Sequence, residues 1–211
     1  MIATNNISAV IFDCDGVMFD SRQANIKYYN RILAHFGLPP MKEEEEAFVH
    51  MRTAGESVRH IFGKTPYVEE ALAYRTEMSY SPFIKDMMME PGLKELLTDL
   101  RPRFGLAIAT NRSNTIGEVL ETHGLEDFFD IVVSSLDVKN PKPDPESLFK
   151  ILDFFEISPD QAIYVGDSQV DLDLCGAVGV PLIAYKNDAL QAVIHVRSMQ
   201  AVREALFATR C

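Results

Sequence analysis

No stretch of this 211-residue sequence approaches the ~20 uninterrupted apolar residues that a membrane-crossing helix needs. The first ten residues, MIATNNISAV, have neither a basic start nor a long apolar segment, so no signal peptide is expected. Cysteine is scarce. Cys14, Cys175 and Cys211 are scattered and odd in number, without CxxC or other metal spacing. That usage points to reduced thiols in a cytoplasmic protein. Positive charge is short too: 20 Lys and Arg stand against 31 Asp and Glu, for a formal net charge of −11. A nucleic-acid footprint needs a basic patch, so phosphate-rich polymers are set aside as partners. A small anion is not, because one local cluster of cations overrides the global charge. There is no internal repeat and no low-complexity linker.

The length is enough for one good core, or for a core and a smaller insert. Short apolar runs recur at 9–12, 105–109, 130–134, 162–166 and 180–185. Runs of this length without alternation suit strands covered on both faces of a parallel sheet. Helix-like segments lie between them. One is 113–123, with Gly124 as C-cap. Another is 145–155, with Asp144 as N-cap and Pro145 at the first helical position. From residue 92 onward helix and strand alternate, which predicts a doubly wound α/β, Rossmann-like core. The last segment reads as a short strand and an amphipathic helix that complete it. Residues 20–88 break the rhythm, with no convincing strand and helix-like sequence at 21–36, 42–49, 54–62 and 67–88. The division expected is a core of 1–17 and 89–211 with a small helical domain at 18–88. Glu43 to Glu46 read as a solvated face near a helix N-terminus, and Met87 to Met89 as core or hinge packing.

In open α/β sheets, ligands bind outside the carboxyl ends of the strands. Asp13 and Asp15 follow the first apolar run, and Thr110 and Asn111 follow the second. A loop with Lys139 and Lys142 follows the third. Asp167, Ser168 and Asp171 follow the fourth. Singly, each has a plain reading: a turn Asp, a rigid KPDP turn, or surface acids at Asp171 and Asp173. Jointly, each at a strand end, they converge on one cleft. Carboxylates that close repel unless a cation joins them. Oxygen-only ligands select a hard cation such as Mg²⁺, which keeps waters and substrate phosphate in its shell. A carboxylate in that setting attacks phosphorus to form an aspartyl-phosphate, while the cation, a lysine and hydroxyl or backbone donors neutralise the transferring oxygens. Asp13 is then nucleophile and metal ligand, and Asp15 the acid and base.

The motifs DCDGV (13–17), ATN (109–111), Lys142 in NPKPDP and VGDSQVD (165–171) resemble the four motifs of the haloacid dehalogenase superfamily of phosphotransferases. The resemblance spans roughly residues 7–185. It implies that Asp13 attacks phosphorus and binds Mg²⁺. It makes Asp15 the general acid/base, with its main-chain carbonyl on the metal. It gives the phosphoryl oxygens to Thr110 and the Asn111 amide, and charge neutralisation to Lys142. Asp167 binds Mg²⁺, and Asp171 supports the site. The second acid argues against the dehalogenase branch. The 18–88 stretch matches the superfamily's helical cap, whose specificity loop falls near 50–60. Arg52 is the candidate there for touching a distal anionic or hydroxyl group. Arg112 also stands within reach of the cleft. His35, His50 and His60 read as structural or exposed.

Three activities share this layout. Phosphate monoester hydrolysis of the phosphoglycolate phosphatase kind leads, on a small phosphorylated metabolite, by a monomer or homodimer. A β-phosphoglucomutase-like enzyme resembles it but places a His twelve positions after the nucleophile, where this sequence has Asn25. A phosphonoacetaldehyde hydrolase needs a cap lysine, and Lys27, Lys42 and Lys64 lack a convincing context. A transferase to another acceptor and a catalytically silent binding protein are the remaining alternatives. Cys14 is expected to point away from the cleft by strand alternation.

Overall fold

The structure, a computed structural model, describes residues 6–207. Cys211 lies outside them. The chain runs through β1 (Ala9–Phe12) and β2 (Phe19–Asp20) into five helices. These are α1 (Arg22–His35), α2 (Glu43–Met51), α3 (Ala54–Phe62), α4 (Val68–Glu77) and α5 (Ser81–Ile84). It returns through β3 (Met88–Met89) to α6 (Leu93–Leu100), β4 (Gly105–Ala109), α7 (Ile116–His123), β5 (Ile131–Val133) and α8 (Glu146–Phe155). Then come β6 (Ala162–Gly166), α9 (Gln169–Val178), β7 (Leu182–Tyr185), β8 (Ile194–Val196) and α10 (Met199–Phe207). No helix here is long and apolar enough to cross a membrane.

Six strands form one parallel sheet in the order β5-β4-β1-β6-β7-β8. Their apolar runs bury both faces, as a parallel sheet requires. Val10, Phe12, Ile108 and Val165 join one core layer, while Ile11, Ala107, Ala109 and Tyr164 join the other. The strand order reverses at β1, so the crevice of a doubly wound sheet opens at its carboxyl end. Register carries the rest. Phe12 pairs with Ile108 on one side and Val165 on the other. The three carboxyl ends are therefore level, and Asp13, Thr110 and Asp167 emerge side by side.

The expected alternation is present, with shorter elements. The runs at 130–134 and 180–185 yield strands of three and four residues. Gly124 ends α7 in the left-handed region at φ 60°, as expected. But α7 begins at Ile116 and not at 113, because Ser113 to Thr115 form a turn in which the Thr115 hydroxyl accepts from Arg112. Pro145 is the cap residue of α8, not its first helical residue, and Asp144 accepts the Glu146 N–H at 3.1 Å from one position farther out. The four glutamates do open α2, where Glu45 accepts the Lys42 N–H.

The helix expected over 67–88 is two helices. α4 stops at Glu77, and Pro82, which has no N–H to give, sits in the first turn of α5. The expectation of no strand near 20–88 also fails at its edges. Phe19–Asp20 and Met88–Met89 pair antiparallel where the chain leaves the sheet and where it returns. Two residues are too few to show a period in the sequence.

The return crossing is tied to the sheet by Glu90. Its N–H donates to the Met18 carbonyl at 2.9 Å. Its buried carboxylate accepts from the Tyr185 hydroxyl at 2.9 Å and from Lys186 Nζ at 2.6 and 2.7 Å. Glu90→Ala leaves the buried Tyr185 hydroxyl without an acceptor. It should lower unfolding free energy by about 1–3 kcal/mol in denaturant titration, and Glu90→Gln by less. Equal stability of wild type and Glu90→Ala would deny this tie any weight.

Candidate active site

Asp13 leaves β1 with its N–H bonded to the Val165 carbonyl at 3.0 Å, which fixes the backbone from which its side chain enters the crevice. Its Oδ1 accepts the Cys14 N–H at 2.7 Å and lies 3.0 Å from Lys142 Nζ. Lys142 is almost completely buried. It also donates to Asp171 Oδ1 at 2.8 Å and to the Tyr164 hydroxyl at 3.0 Å. Asp171 has no exposure, and its other oxygen accepts from Ser168 Oγ at 2.7 Å and from the N–H groups of Asp167 and Ser168. These bonds require α9 to approach β6 closely. A Cβ on Gly166 would stand 2.6 Å from that of Asp171. Gly16, at φ 79°, makes the matching approach to Asp167, since a Cβ there would meet Asp167 Oδ2 at 2.1 Å.

Burial and two neighbouring charges act on these acids in opposite senses. Burial raises Asp13 to about 7 against the pull of Lys142. Burial, then the charges of Asp171 and Asp13, raise Asp167 to about 8. Burial also works to raise Asp171, but Lys142 and the hydrogen bonds outweigh it and hold Asp171 below the usual carboxylate range. Lys142 in turn keeps its proton more tightly than a free lysine, because Asp13 and Asp171 overcome its desolvation.

Asp15 faces a second cation. Its Oδ1 accepts from Arg112 at 2.7 Å and from the Ser21 hydroxyl. Arg112 is buried, donates to the Tyr80 hydroxyl at 3.3 Å, and lies over the Tyr80 ring. The Tyr80 hydroxyl in turn donates a hydrogen bond to Asn25 Oδ1 at 2.8 Å. Burial pushes Asp15 up, but Arg112 outweighs it and holds the carboxyl low.

These groups open into one cavity of about 350 Å³. Its floor includes Asp13, Asp15, Thr110, Asn111, Lys142, Asp167 and Ser168, as the strand-end reading expected. Its roof comes from α1 to α4 and Tyr80. Thr110 is buried and accepts the Arg112 N–H; the Asn111 amide donates to the Lys142 and Met51 carbonyls. Arg52 lines the cavity as expected, at its rim, over the Phe48 ring and 4.0 Å from Glu56. His50, read as structural or exposed, lines the cavity. His35 and His60 stack on Tyr74 and Phe48 and stay structural. Lys142 alone among described lysines lines the cavity; Lys27 pairs with Asp86, and Lys42, Lys64 and Lys139 lie elsewhere. Cys14 is buried in the core, away from the lining. Tyr164, Arg75 and Tyr80 were not read as site residues. A lone phenol within the apolar run AIYVG was the available signal for Tyr164, since a buried tyrosine hydroxyl needs a partner. Nothing local marks Arg75 or Tyr80.

A family model described as haloacid dehalogenase-like hydrolase matches residues 10–185. The chain belongs to that family. A solved HAD-superfamily hydrolase of subfamily IA from Geobacter sulfurreducens PCA is 39% identical, with a TM-score of 0.79 over 95% of this chain and 97% of its own. A phosphorylated carbohydrates phosphatase of Thermotoga maritima is 28% identical over 84% of each chain. A phosphoglycolate phosphatase of Pseudomonas putida is 26% identical, over 82% of this chain and 67% of that protein.

The hydrolase has the donors for a divalent cation. Carboxylate oxygens of Asp13, Asp167 and Asp171 lie within 4.8 Å of one another. Asp171 is already engaged by Lys142, Tyr164 and Ser168. Asp13 and Asp167 therefore remain free to hold one, an all-oxygen pair that would suit a hard cation. Their raised affinity for protons marks the charge such an ion would neutralise. An acid whose folded pKa is raised stabilises fully below its unfolded value and loses that contribution as pH rises through the folded one. For Asp13 and Asp167 the loss runs from about pH 4 through 7 and 8. Asp15 and Asp171, held low, lose theirs only in acid. In chelator the unfolding midpoint should fall between about pH 5 and 9, and Asp167→Asn should flatten that slope. A flat wild-type profile, or an unchanged slope in the variant, would contradict this.

Proposed function

We propose that this hydrolase is a Mg²⁺-dependent phosphatase that cleaves a small phosphorylated metabolite through an aspartyl-phosphate on Asp13. The observation that carries the reading is the 3.0 Å contact of Lys142 Nζ with Asp13 Oδ1, on the floor of a cavity that Asp15, Thr110 and Asp167 also line. The cavity volume, about 350 Å³, is near the small end of ligand sites. Asp13, Asp167 and the Asp15 main-chain carbonyl would hold Mg²⁺, which supplies positive charge to the transferring phosphoryl oxygens when bound.

An Asp13 oxygen attacks phosphorus as the ester P–O bond breaks, and Asp15 gives its proton to the leaving oxygen. Arg112 holds Asp15 ionised before substrate binds, so the proton that Asp15 gives is one it takes up in the substrate complex, and giving it restores the form that Arg112 favours. Asp15 next takes a proton from the water that attacks the aspartyl-phosphate. Phosphate leaves, and both acids return to their starting states. Lys142 offsets charge on Asp13 and the phosphoryl group throughout, and Asp171 and Tyr164 position it. Thr110 and the Asn111 N–H orient the phosphoryl oxygens. The helices of residues 18–88 act as a cap over the cleft. Their closure excludes bulk water, and Arg52 sits at its rim.

Phosphate release should be followed from p-nitrophenyl phosphate, phosphoglycolate, hexose phosphates and nucleoside monophosphates with Mg²⁺. Asp13→Asn or EDTA should reduce the rate on the best substrate by roughly 10³-fold or more. Release that survives Asp13→Asn would overturn the nucleophile assignment. No release from any compound by folded wild type would overturn the phosphatase reading.

A further inference from the structure

Five basic side chains line the cleft: His50, Arg52, Arg75, Arg112 and Lys142. Most are already committed. Lys142 is held by Asp13 and Asp171, Arg112 by Asp15, and Arg52 stands 4.0 Å from Glu56. Arg75, on α4 in the roof, enters no ion pair among the described residues, although acids outnumber bases by 31 to 20 in the sequence. Its Nε is buried without a hydrogen-bond acceptor. Arg75 lies within electrostatic reach of the Tyr28 and Tyr29 hydroxyls, which line the same roof.

A buried donor without a partner costs free energy, and such groups are rare enough that each calls for a cause. The orphaned atoms here are not scattered. Six buried side-chain polar atoms among the described residues lack a partner, and four of them belong to His50, Arg75, Asn111 and Arg112. All four residues line this one cavity. Asn111 and Arg112 stand on the floor beside the phosphoryl position. His50 and Arg75 come from the roof, where the phosphoryl chemistry has no need of them.

We propose that Arg75, assisted by His50, forms a second anion subsite in the roof, so that the substrate carries a carboxylate or a second phosphate close to the phosphate that is cleaved. This rests on the phosphatase reading and narrows it, from phosphate monoesters in general to phosphorylated compounds with two anionic ends. A guanidinium suits either group, because its fixed fork of donors matches a carboxylate or a phosphate. A neutral polyol tail would leave the Arg75 charge without a counter-ion in the cleft. Arg52, the rim arginine beside Glu56, is the alternative, and the experiment separates the two.

Binding is measured by titration calorimetry in the Asp13→Asn protein with Mg²⁺, so that turnover does not enter. The probes are 2-phosphoglycolate, pyrophosphate and 2-hydroxyethyl phosphate, the last matching phosphoglycolate without its carboxylate. At least one of the first two should bind about tenfold or more tightly than 2-hydroxyethyl phosphate, the size of a charge-assisted hydrogen bond. Which of them leads tells a carboxylate from a second phosphate. Adding Arg75→Gln should remove most of that preference, Arg75→Lys should restore part of it, and Arg52→Gln should leave it. Equal binding of all three probes would overturn the proposal, as would a preference that survives Arg75→Gln. A preference lost in Arg52→Gln alone would also overturn it. Turnover of p-nitrophenyl phosphate by wild type is read separately. If it is absent while the binding preference holds, hydrolysis falls and the anion subsite stands.

Discussion

Lys142 stands between two buried carboxylates, 3.0 Å from Asp13 and 2.8 Å from Asp171, and the carboxyl edge of the sheet is organised by that contact. Taking three charges out of water is costly, and their attraction offsets the cost only where the remaining hydrogen-bonding capacity is filled. Here it is filled for Asp171 and Lys142 and left open for Asp13. Asp171 accepts from Tyr164, Ser168 and two backbone N–H groups, so Lys142 is anchored from behind. Among the described residues, Asp13 accepts only one backbone N–H besides the lysine. The group with unspent lone pairs is the one that faces the cavity, as the proposed nucleophile and metal ligand would need to.

Arg112 solves a different problem with the same means. It neutralises Asp15 and links it, through Tyr80, to Asn25 in α1. One guanidinium therefore joins the end of β4, the loop after β1 and the helical roof. The sheet and the roof meet through polar contacts at this point, in addition to the apolar packing they share. Asn25 occupies the position where mutase-like relatives are expected to carry a histidine, and its amide serves as an acceptor inside the network.

The glycines show how closely the loops at the carboxyl edge of the sheet are packed. Gly16 and Gly166 each let an Asp side chain occupy the space that a Cβ would fill. The spacing of the first and fourth motifs is thus a steric requirement as well as a chemical one. The Asp13 and Asp167 carboxylates come together because β1 and β6 are neighbours in register, and Gly16 leaves room for the second beside the loop of the first.

Much of this was legible in the linear order of residues. Buried parallel strands announce themselves as short apolar runs, and a functional side chain at a strand end needs only the next position or two. Asp13, Thr110 and Asp167 were readable in that way, Asp15, Lys142 and Asp171 from the loops and helix start that follow the strands, and the helical interruption before residue 89 from its broken rhythm. Those features depend on local periodicity and on one topological rule. What only the tertiary structure decided is which charges meet across long separations. Asp15 and Arg112 are 97 positions apart, and Lys142 and Asp171 are 29 apart. Arg75 and His50 carry no local mark that distinguishes a cavity wall from a helix surface. The two-residue strands at the crossings and the break before Pro82 were hidden for a related reason: elements that short have no period to read. Hydrophobic pattern is written along the chain, whereas the pairing of isolated charges exists only after the chain has folded around them.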